Sequence, residues 1–241
     1  MNLGISRWAA WAPEQQAEED WAAWARSPQP LGTEGVPDGR FLPAMLRRRC
    51  TPLSKIMLRV AFDCCEEARR ADVRTVFASR HGSINESIAL LECVVGRERV
   101  SPARFSHTVH NAQAGLFSIA AGNREPSSSL AARQETFGCA FLEALTHLER
   151  EPGRPVLLVV GDVPLAPRFA GLLEEPTAAY GVALLLEAGT LPALRLELGP
   201  GLGKPSSPAW PDAAEFLRFW LSPDRSVEIQ TPRQSWRFEK I

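Results

Sequence analysis

Cys139, in the segment FGCAF, is the thiol in this sequence that could act as a nucleophile. It lies among small residues on a predicted helix, between Phe137 and Phe141, and no acid–base partner is evident nearby in the sequence. Because a nucleophilic thiol needs a neighbouring group that favours its thiolate form, the context favours a buried structural cysteine. The alternative is an autonomous acyltransferase or thioesterase that uses Cys139.

Two further groups of residues could bind a metal or transfer protons. His107 and His110 are spaced i, i+3 near a predicted helix start, where a capping or hydrogen-bonding role is favoured over a metal or base role. Cys64 and Cys65 fall on the apolar stripe of a predicted helix, so they are expected to be small buried side chains. The sequence therefore predicts no metal site.

The segment GPGLGKPS, residues 199–206, superficially resembles a phosphate-binding loop. Leu198 occupies the position of the first required glycine, and Pro205 replaces the required Ser or Thr. A plain turn is therefore expected, and no cofactor is predicted. Neither a G-x-S-x-G elbow nor an H-E-x-x-H motif occurs.

Bulk composition excludes several classes of partner. With 45% hydrophobic and 23% charged residues and a net charge of −1, the 241-residue chain has no excess of cations with which to bind nucleic acid. The N-terminus lacks the pattern of a signal peptide, and no apolar run reaches the ~20 residues needed to span a bilayer. The five cysteines form no spaced CxxC pairs, which fits a reducing compartment, so a cytoplasmic protein is expected.

Hydrophobic periodicity predicts strands alternating with helices, which indicates a layered α/β fold. The helix predicted over 83–95 has an apolar face formed by Ile84, Ile88 and Leu91. The tail after a short helix around 213–221 is expected to hold one or two strands. Helices are also predicted over 54–70, 109–121 and 134–149, and strands over 73–79, 127–132, 156–160, 181–187 and 193–198.

The run HNAQAGLFSIAAGNREPSSSLAA, residues 110–132, resembles a stretch of the beta-ketoacyl synthases. In that family a buried Asn-x-x-x-Gly-x-x-Ser-Ile helix leads through a turn into the strand that delivers the active cysteine. The matching residues here are Asn111, Gly115, Ser118, Ile119, Pro126 and Ser127. PVLLVVGDV (155–163) and AAYGVALLLEA (178–188) resemble the strands that follow, and PAMLRRRCTPLSKIMLRVAFDCC resembles the entry helix of the chain-length-factor type found with aryl polyene and type II polyketide pathways.

This resemblance implies a thiolase-like layered α/β fold that consists of a single N-terminal-type half with a shortened C-terminal part. One ketosynthase-like domain is expected over 1–241. Its core is expected at about 43–198, preceded by an N-terminal segment and loop (1–42) and followed by an irregular extension (199–241).

The resemblance also implies a non-catalytic role, because Gln134 stands where the family has its active cysteine. Glutamine cannot form a thioester and can only donate and accept hydrogen bonds. The family's second half, which supplies histidines and a lysine, is expected to be absent. The apolar surface that a shortened domain leaves is expected to need an obligate partner.

The implied function is that of a chain-length-factor-like subunit that pairs with a catalytic ketosynthase as a heterodimer. It would shape the acyl cavity during polyene, polyketide or fatty-acid-like elongation on an acyl carrier protein. The strand 127–132 is the expected interface. The candidate residues for the cavity or interface are Phe117, Ser129, Leu130, Gln134 and Phe137.

Overall fold

The computed structural model describes residues 3–171, 177–203 and 209–241. The strands within these ranges form one eight-stranded sheet in the order β3-β2-β4-β5-β1-β6-β8-β7. Their bounds are β1 Leu3–Trp11, β2 Arg74–Ala78, β3 Ser127–Leu130, β4 Val156–Asp162, β5 Tyr180–Ala188, β6 Ala193–Pro200, β7 Ser226–Gln230 and β8 Gln234–Lys240.

Helices cover both faces of this sheet, as the predicted layered α/β fold requires. Their bounds are α1 Glu18–Arg26, α2 Ala44–Arg47, α3 Pro52–Cys64, α4 Glu67–Arg70, α5 Ile84–Val95, α6 Pro102–Phe105, α7 Ala112–Ala121, α8 Thr136–Arg150, α9 Pro167–Ala170 and α10 Asp212–Leu221. A 3-10 turn, Arg133–Glu135, immediately precedes α8.

The sheet is parallel at one end and antiparallel elsewhere. β2 lies between β3 and β4 and runs parallel to both, whereas each neighbouring pair from β4 to β7 is antiparallel. β3 is the last strand at the parallel end, and within the described ranges no strand pairs with its outer edge, which is called the free edge below. Because parallel strands end at the same side, the residues that follow β3, β2 and β4 are brought together.

Each face of the sheet carries its own apolar core. One core lies under α3 and α7 and includes Ile56, Val60 and Phe117. The other lies under α1, α8 and α10 and includes Trp21, Phe141, Phe216 and Trp236. The predicted apolar face of α8 comprises Phe137, Ala140, Phe141, Ala144, Leu145 and Leu148; all of these are buried except Leu145, which is partly buried.

The sheet extends beyond the expected core of 43–198 at both ends. β1 lies between β5 and β6 inside the sheet, and β8 and β7 extend the sheet beyond β6. A register shift between Ile5 and Arg7 interrupts the alternation of β1, so its sequence lacks the period of two by which strands are found. That residues 1–241 form one domain stays a prediction.

Two predicted helices also need correction. The helix expected over 54–70 is divided into α3 and α4, because Cys65 and Glu66 adopt extended ψ angles of 122° and 144°. On α5 the expected apolar face is wrong: Leu90 is buried, whereas Ile84 and Leu91 are 39% and 64% exposed.

Candidate functional site

Gln134 lies in the 3-10 turn between β3 and α8, at the strand-to-helix junction where the sequence predicts it. Its side chain is partly buried. A side chain at this place sits beyond the carboxyl end of a parallel strand, where α/β folds usually build their sites. The junction is therefore the centre of the candidate site.

The backbone of this turn has an unusual conformation. Arg133 adopts φ 56°, in the left-handed region that non-glycine residues rarely occupy. The Thr136 hydroxyl holds the turn, since Oγ1 donates to the Arg133 carbonyl (2.6 Å) and accepts from the Ala132 amide (3.0 Å). Strained strand-to-helix turns present catalytic nucleophiles in some enzymes. Here the turn presents the amide of Gln134 in place of a thiol or hydroxyl.

Glu135, the next residue, ties the turn to the C-terminal hairpin formed by β7 and β8. Its carboxylate is buried and accepts hydrogen bonds from the Thr231 hydroxyl, the Arg233 amide (3.1 Å) and the Trp236 indole Nε1 (3.0 Å). The Trp236 ring lies against Gly138, where an added Cβ would collide with it. The C-terminal residues therefore form part of the wall behind the junction.

A second buried carboxylate organises the ends of the neighbouring strands. Asp162, at the end of β4, accepts hydrogen bonds from Ser79 Oγ (2.7 Å) and from the amides of Arg80 and His81 (both 3.1 Å). Burial raises the pKa of Asp162, and these hydrogen bonds oppose the rise. Burial also lowers the pKa of His81. Asp162 thus fixes the loop that follows β2.

Asp212, the first residue of α10, lies within electrostatic range of both acidic and basic neighbours. Burial, and secondarily the charge of Glu135, raise the pKa of Asp212 to about 7, while Arg80 opposes the rise. A carboxyl group with this pKa changes its protonation near neutral pH. The protonation of Asp212 can therefore be changed by varying the pH within a range in which stability is readily measured.

Cys139 lies one turn into α8 and borders a shallow pocket of about 310 Å³. The residues around the pocket are Ala132, Arg133, Glu135, Cys139, Arg233 and Gln234. Burial, and then the charge of Glu135, raise the pKa of the Cys139 thiol. Nucleophilic cysteines have a lowered thiol pKa, so these surroundings oppose the alternative of an autonomous enzyme based on Cys139.

The five predicted cavity or interface residues do not form one group. Phe117 packs with Phe62 and Phe77 in the core under α3 and α7. Phe137 packs with Phe141, Phe216 and Phe238 in the core on the opposite face of the sheet. Both rings are less than 5% exposed and act as core side chains. Ser129, Leu130 and Gln134 are partly buried and lie near the free edge of β3.

The histidines take part in local structure. α7 has Asn111 as its N-cap, so neither His107 nor His110 occupies the expected capping position. His147 Nε2 lies 3.3 Å from both Ser128 Oγ and Glu143 Oε1. This is not a catalytic triad, because the carboxylate and the hydroxyl approach the same nitrogen. Among the described residues, no group of His, Cys, Asp and Glu could hold a metal ion.

The helices α5 and α6 carry exposed apolar side chains. Leu91, Val94, Val95 and Phe105 are 64%, 59%, 85% and 61% exposed. α5 follows the carboxyl end of β2, and its cap residue Ser83 accepts a hydrogen bond from Gln113 of α7. Contiguous exposed apolar side chains mark interaction surfaces.

Sequence reasoning missed two features of this site. The three donors to Glu135 come from residues about 100 positions away, so no local pattern reveals them. The exposed surface of α5 could have been suspected, since the segment IALLECVV is apolar on several sides of a helix.

Comparisons with known proteins agree with the fold. The family described as beta-ketoacyl synthase, N-terminal domain, matches residues 21–239. A search of curated proteins gave no match. No helix in the described part of the chain has the length and apolar character needed to cross a membrane.

Solved structures similar to this chain include complexes of ketosynthases. The ketosynthase ApeO in complex with its chain length factor ApeC from Xenorhabdus doucetiae matches with 27% identity and a TM-score of 0.84, covering 100% of both chains. The ishigamide ketosynthase/chain length factor matches with 15% identity and a TM-score of 0.67, covering 84% of this chain and 68% of the other.

A third structure, AntDE:AntF, is a type II PKS acyl-carrier protein in complex with its ketosynthase bound to the hexaketide. It matches with 12% identity and a TM-score of 0.65 and covers 100% of this chain and 99% of the other. The expected thiolase-like half is thus confirmed. Over 219 of its residues, from 21 to 239, this chain belongs to the beta-ketoacyl synthase N-terminal domain family.

Proposed function

We propose that this chain is a non-catalytic, chain-length-factor-like subunit that pairs with a catalytic ketosynthase and shapes the cavity for the growing acyl chain. The observation that carries the proposal is Gln134 at the strand-to-helix junction. An amide there cannot accept an acyl group, so the thiol must come from a partner. The raised pKa of the Cys139 thiol supports the same conclusion.

The free edge of β3 supports a partner that adds a strand to the sheet. The amides of Thr75, on β2, and Ser79, the residue after β2, donate to the carbonyls of Pro126 and Leu130, respectively. The even-numbered residues from 126 to 130 therefore direct their backbone groups at β2. Backbone bonding alternates along a strand, which leaves the backbone groups of Ser127 and Ser129 directed at the free edge. An unpaired edge of this kind can pair with another chain.

The apolar side chains of α5 and α6 support a stable interface in place of a transient contact. Four of them are more than half exposed. Burying each in a partner would contribute roughly 1.5–3 kcal/mol. We assign this surface and the β3 edge to the ketosynthase partner; a ketosynthase with its chain length factor is among the solved structures similar to this chain.

The proposed setting is the cytoplasm, where the heterodimer would elongate a polyene, polyketide or fatty-acid-like chain on an acyl carrier protein. Aryl polyene synthesis is the pathway class that we favour. Within the pair, Gln134, Ser129 and Leu130 would lie nearest the cavity or interface.

Co-expression with a ketosynthase encoded beside this gene tests the proposal. We expect the two proteins to co-purify as a heterodimer, and we expect Gln134→Trp to shift carrier-bound products to shorter chains, because the larger ring fills the cavity. Gln134→Asn is the matched control and should preserve the products. The proposal would be refuted if this chain stays monomeric in the presence of an active ketosynthase and if the ketosynthase makes the same products with and without it.

A further inference from the structure

The link between Glu135 and the C-terminal hairpin carries a role that the proposed function does not use. Glu135 is 8% exposed and accepts hydrogen bonds from Thr231, Arg233 and Trp236. All three donors belong to one short stretch that spans the turn and the start of β8. A buried carboxylate needs such donors to offset its lost hydration.

The hairpin is itself held in place, so it can act as a fixed support. β8 pairs with β6 over seven residue pairs, from Leu194↔Lys240 to Pro200↔Gln234. The Thr231 amide donates to the Gln234 carbonyl (3.0 Å) and closes the turn. Trp236 is 1% exposed and packs on Gly138 of α8.

The element that this support holds is strained. Arg133, at φ 56°, and Gln134 directly precede Glu135. A left-handed non-glycine residue persists only where its surroundings impose it. Glu135 is the link between these residues and the rigid end of the sheet.

We propose that Glu135 is a positioning residue: through its three bonds to the C-terminal hairpin it holds the Gln134 turn in one conformation. This inference rests on the proposed function, in which Gln134 contributes to the wall of a cavity shared with a ketosynthase. A rigid turn gives a narrow range of product lengths, and a loosened turn gives a broader range.

Two of the three donors, those of Thr231 and Trp236, belong to side chains and can each be removed by substitution. Thr231→Val replaces the hydroxyl by a methyl group, Thr231→Ser keeps the hydroxyl, and Trp236→Phe removes Nε1 but leaves a ring over Gly138. Each variant is to be purified as the complex with the ketosynthase. Amide hydrogen exchange is followed in the peptide spanning 132–136, and carrier-bound products are measured by mass spectrometry.

We expect exchange in this peptide to rise about tenfold or more in Thr231→Val and Trp236→Phe, the change typical of losing a hydrogen bond to a charged group. The product distribution should broaden in both, and Thr231→Ser should restore both properties. Val60→Ala, a truncation in the opposite core, controls for general destabilisation and should leave product lengths unchanged.

The outcomes separate this inference from the function on which it rests. If the wild-type chain fails to pair with any ketosynthase, the proposed function fails. If the wild-type complex forms and Thr231→Val leaves the product lengths unchanged, the positioning role of Glu135 is refuted. The positioning role is also refuted if Val60→Ala broadens the distribution of product lengths as much as Thr231→Val does.

Discussion

Two acidic side chains beside the junction, Glu135 and Asp212, come from distant parts of the chain and influence each other. Burial and the charge of Glu135 raise the pKa of Asp212 to about 7. An unfolded chain would show the ordinary value of 3.8. Between these values the folded protein keeps a proton that the unfolded chain has lost.

We therefore expect this group to make the free energy of unfolding fall as pH rises from about 4 to about 7, by at most about 1.4 kcal/mol per pH unit. Asp212→Asn removes the ionisation, so the variant should lose less stability than the wild type between pH 5 and pH 7.5. Urea denaturation at both pH values measures this. Asp72→Asn, at an exposed position, should retain the wild-type pH dependence; equal slopes for all three proteins would contradict the assignment.

Arg74, the first residue of β2, fastens the end of α8 to the sheet. Its guanidinium is 2% exposed and donates to the carbonyls of His147 (2.7 Å), Glu151 (3.0 Å) and Arg154 (2.5 Å). These carbonyls lie at or just beyond the C-terminus of the helix, and the His147 and Glu151 carbonyls also accept from the Glu151 and Arg154 amides. A cation there also complements the helix dipole.

Arg74→Met should therefore lower the free energy of unfolding by about 2 kcal/mol or more, because it removes three hydrogen bonds made by a charged donor. Arg59→Ala breaks an exposed i, i+4 pair with Asp63 and should cost about 0.3–0.5 kcal/mol. Chemical denaturation compares the two. Similar losses in both variants would show that Arg74 does not hold α8.

The free edge of β3 gives the sharpest prediction for an element. Ser129→Pro removes an amide that is directed at the edge and leaves the bonds to β2 intact. The variant should stay folded but fail to co-purify with the ketosynthase, whereas Ser129→Ala, which keeps the amide, should pair normally. Pairing by the proline variant would exclude β3 as the interface strand.

Local sequence patterns predicted the elements in which the spacing of apolar residues alone indicates which side chains are buried. α8 has a single apolar face, and β4 is a continuous apolar run, so both were found in nearly their observed positions. β1 was missed because its register shift breaks the alternation. α1 was missed too, although acidic residues in its first turn and buried Trp21, Trp24 and Ala25 at helical spacing are detectable in the sequence.

The candidate site was predicted only in part. Gln134 was found from the order of segments around it, whereas the support from Thr231 and Trp236 depends on tertiary contacts. The apolar face of α5 was placed wrongly because this helix is apolar on several sides and buries only Leu90 within the chain. Its other apolar side chains stay partly or largely exposed, and the sequence alone does not identify what would cover them.

At the scale of the whole molecule, the chain covers one face of its sheet with its own helices and leaves apolar side chains exposed elsewhere. The face of the sheet under α8 is covered by α1 and α10, and Trp21 and Trp236 are buried there. Four of the large exposed apolar side chains lie instead on α5 and α6. Under the proposed function, the surface of α5 and α6 is the part of the chain that a ketosynthase partner would cover.

In the proposed heterodimer, this chain carries no acyl group, whereas the ketosynthase subunit does. The most direct test is intact-protein mass spectrometry of the co-purified complex after incubation with an acyl-loaded carrier protein. We predict an acyl mass increment on the ketosynthase subunit and an unchanged mass for this chain. An acyl increment on this chain that disappears in Cys139→Ala would contradict the account.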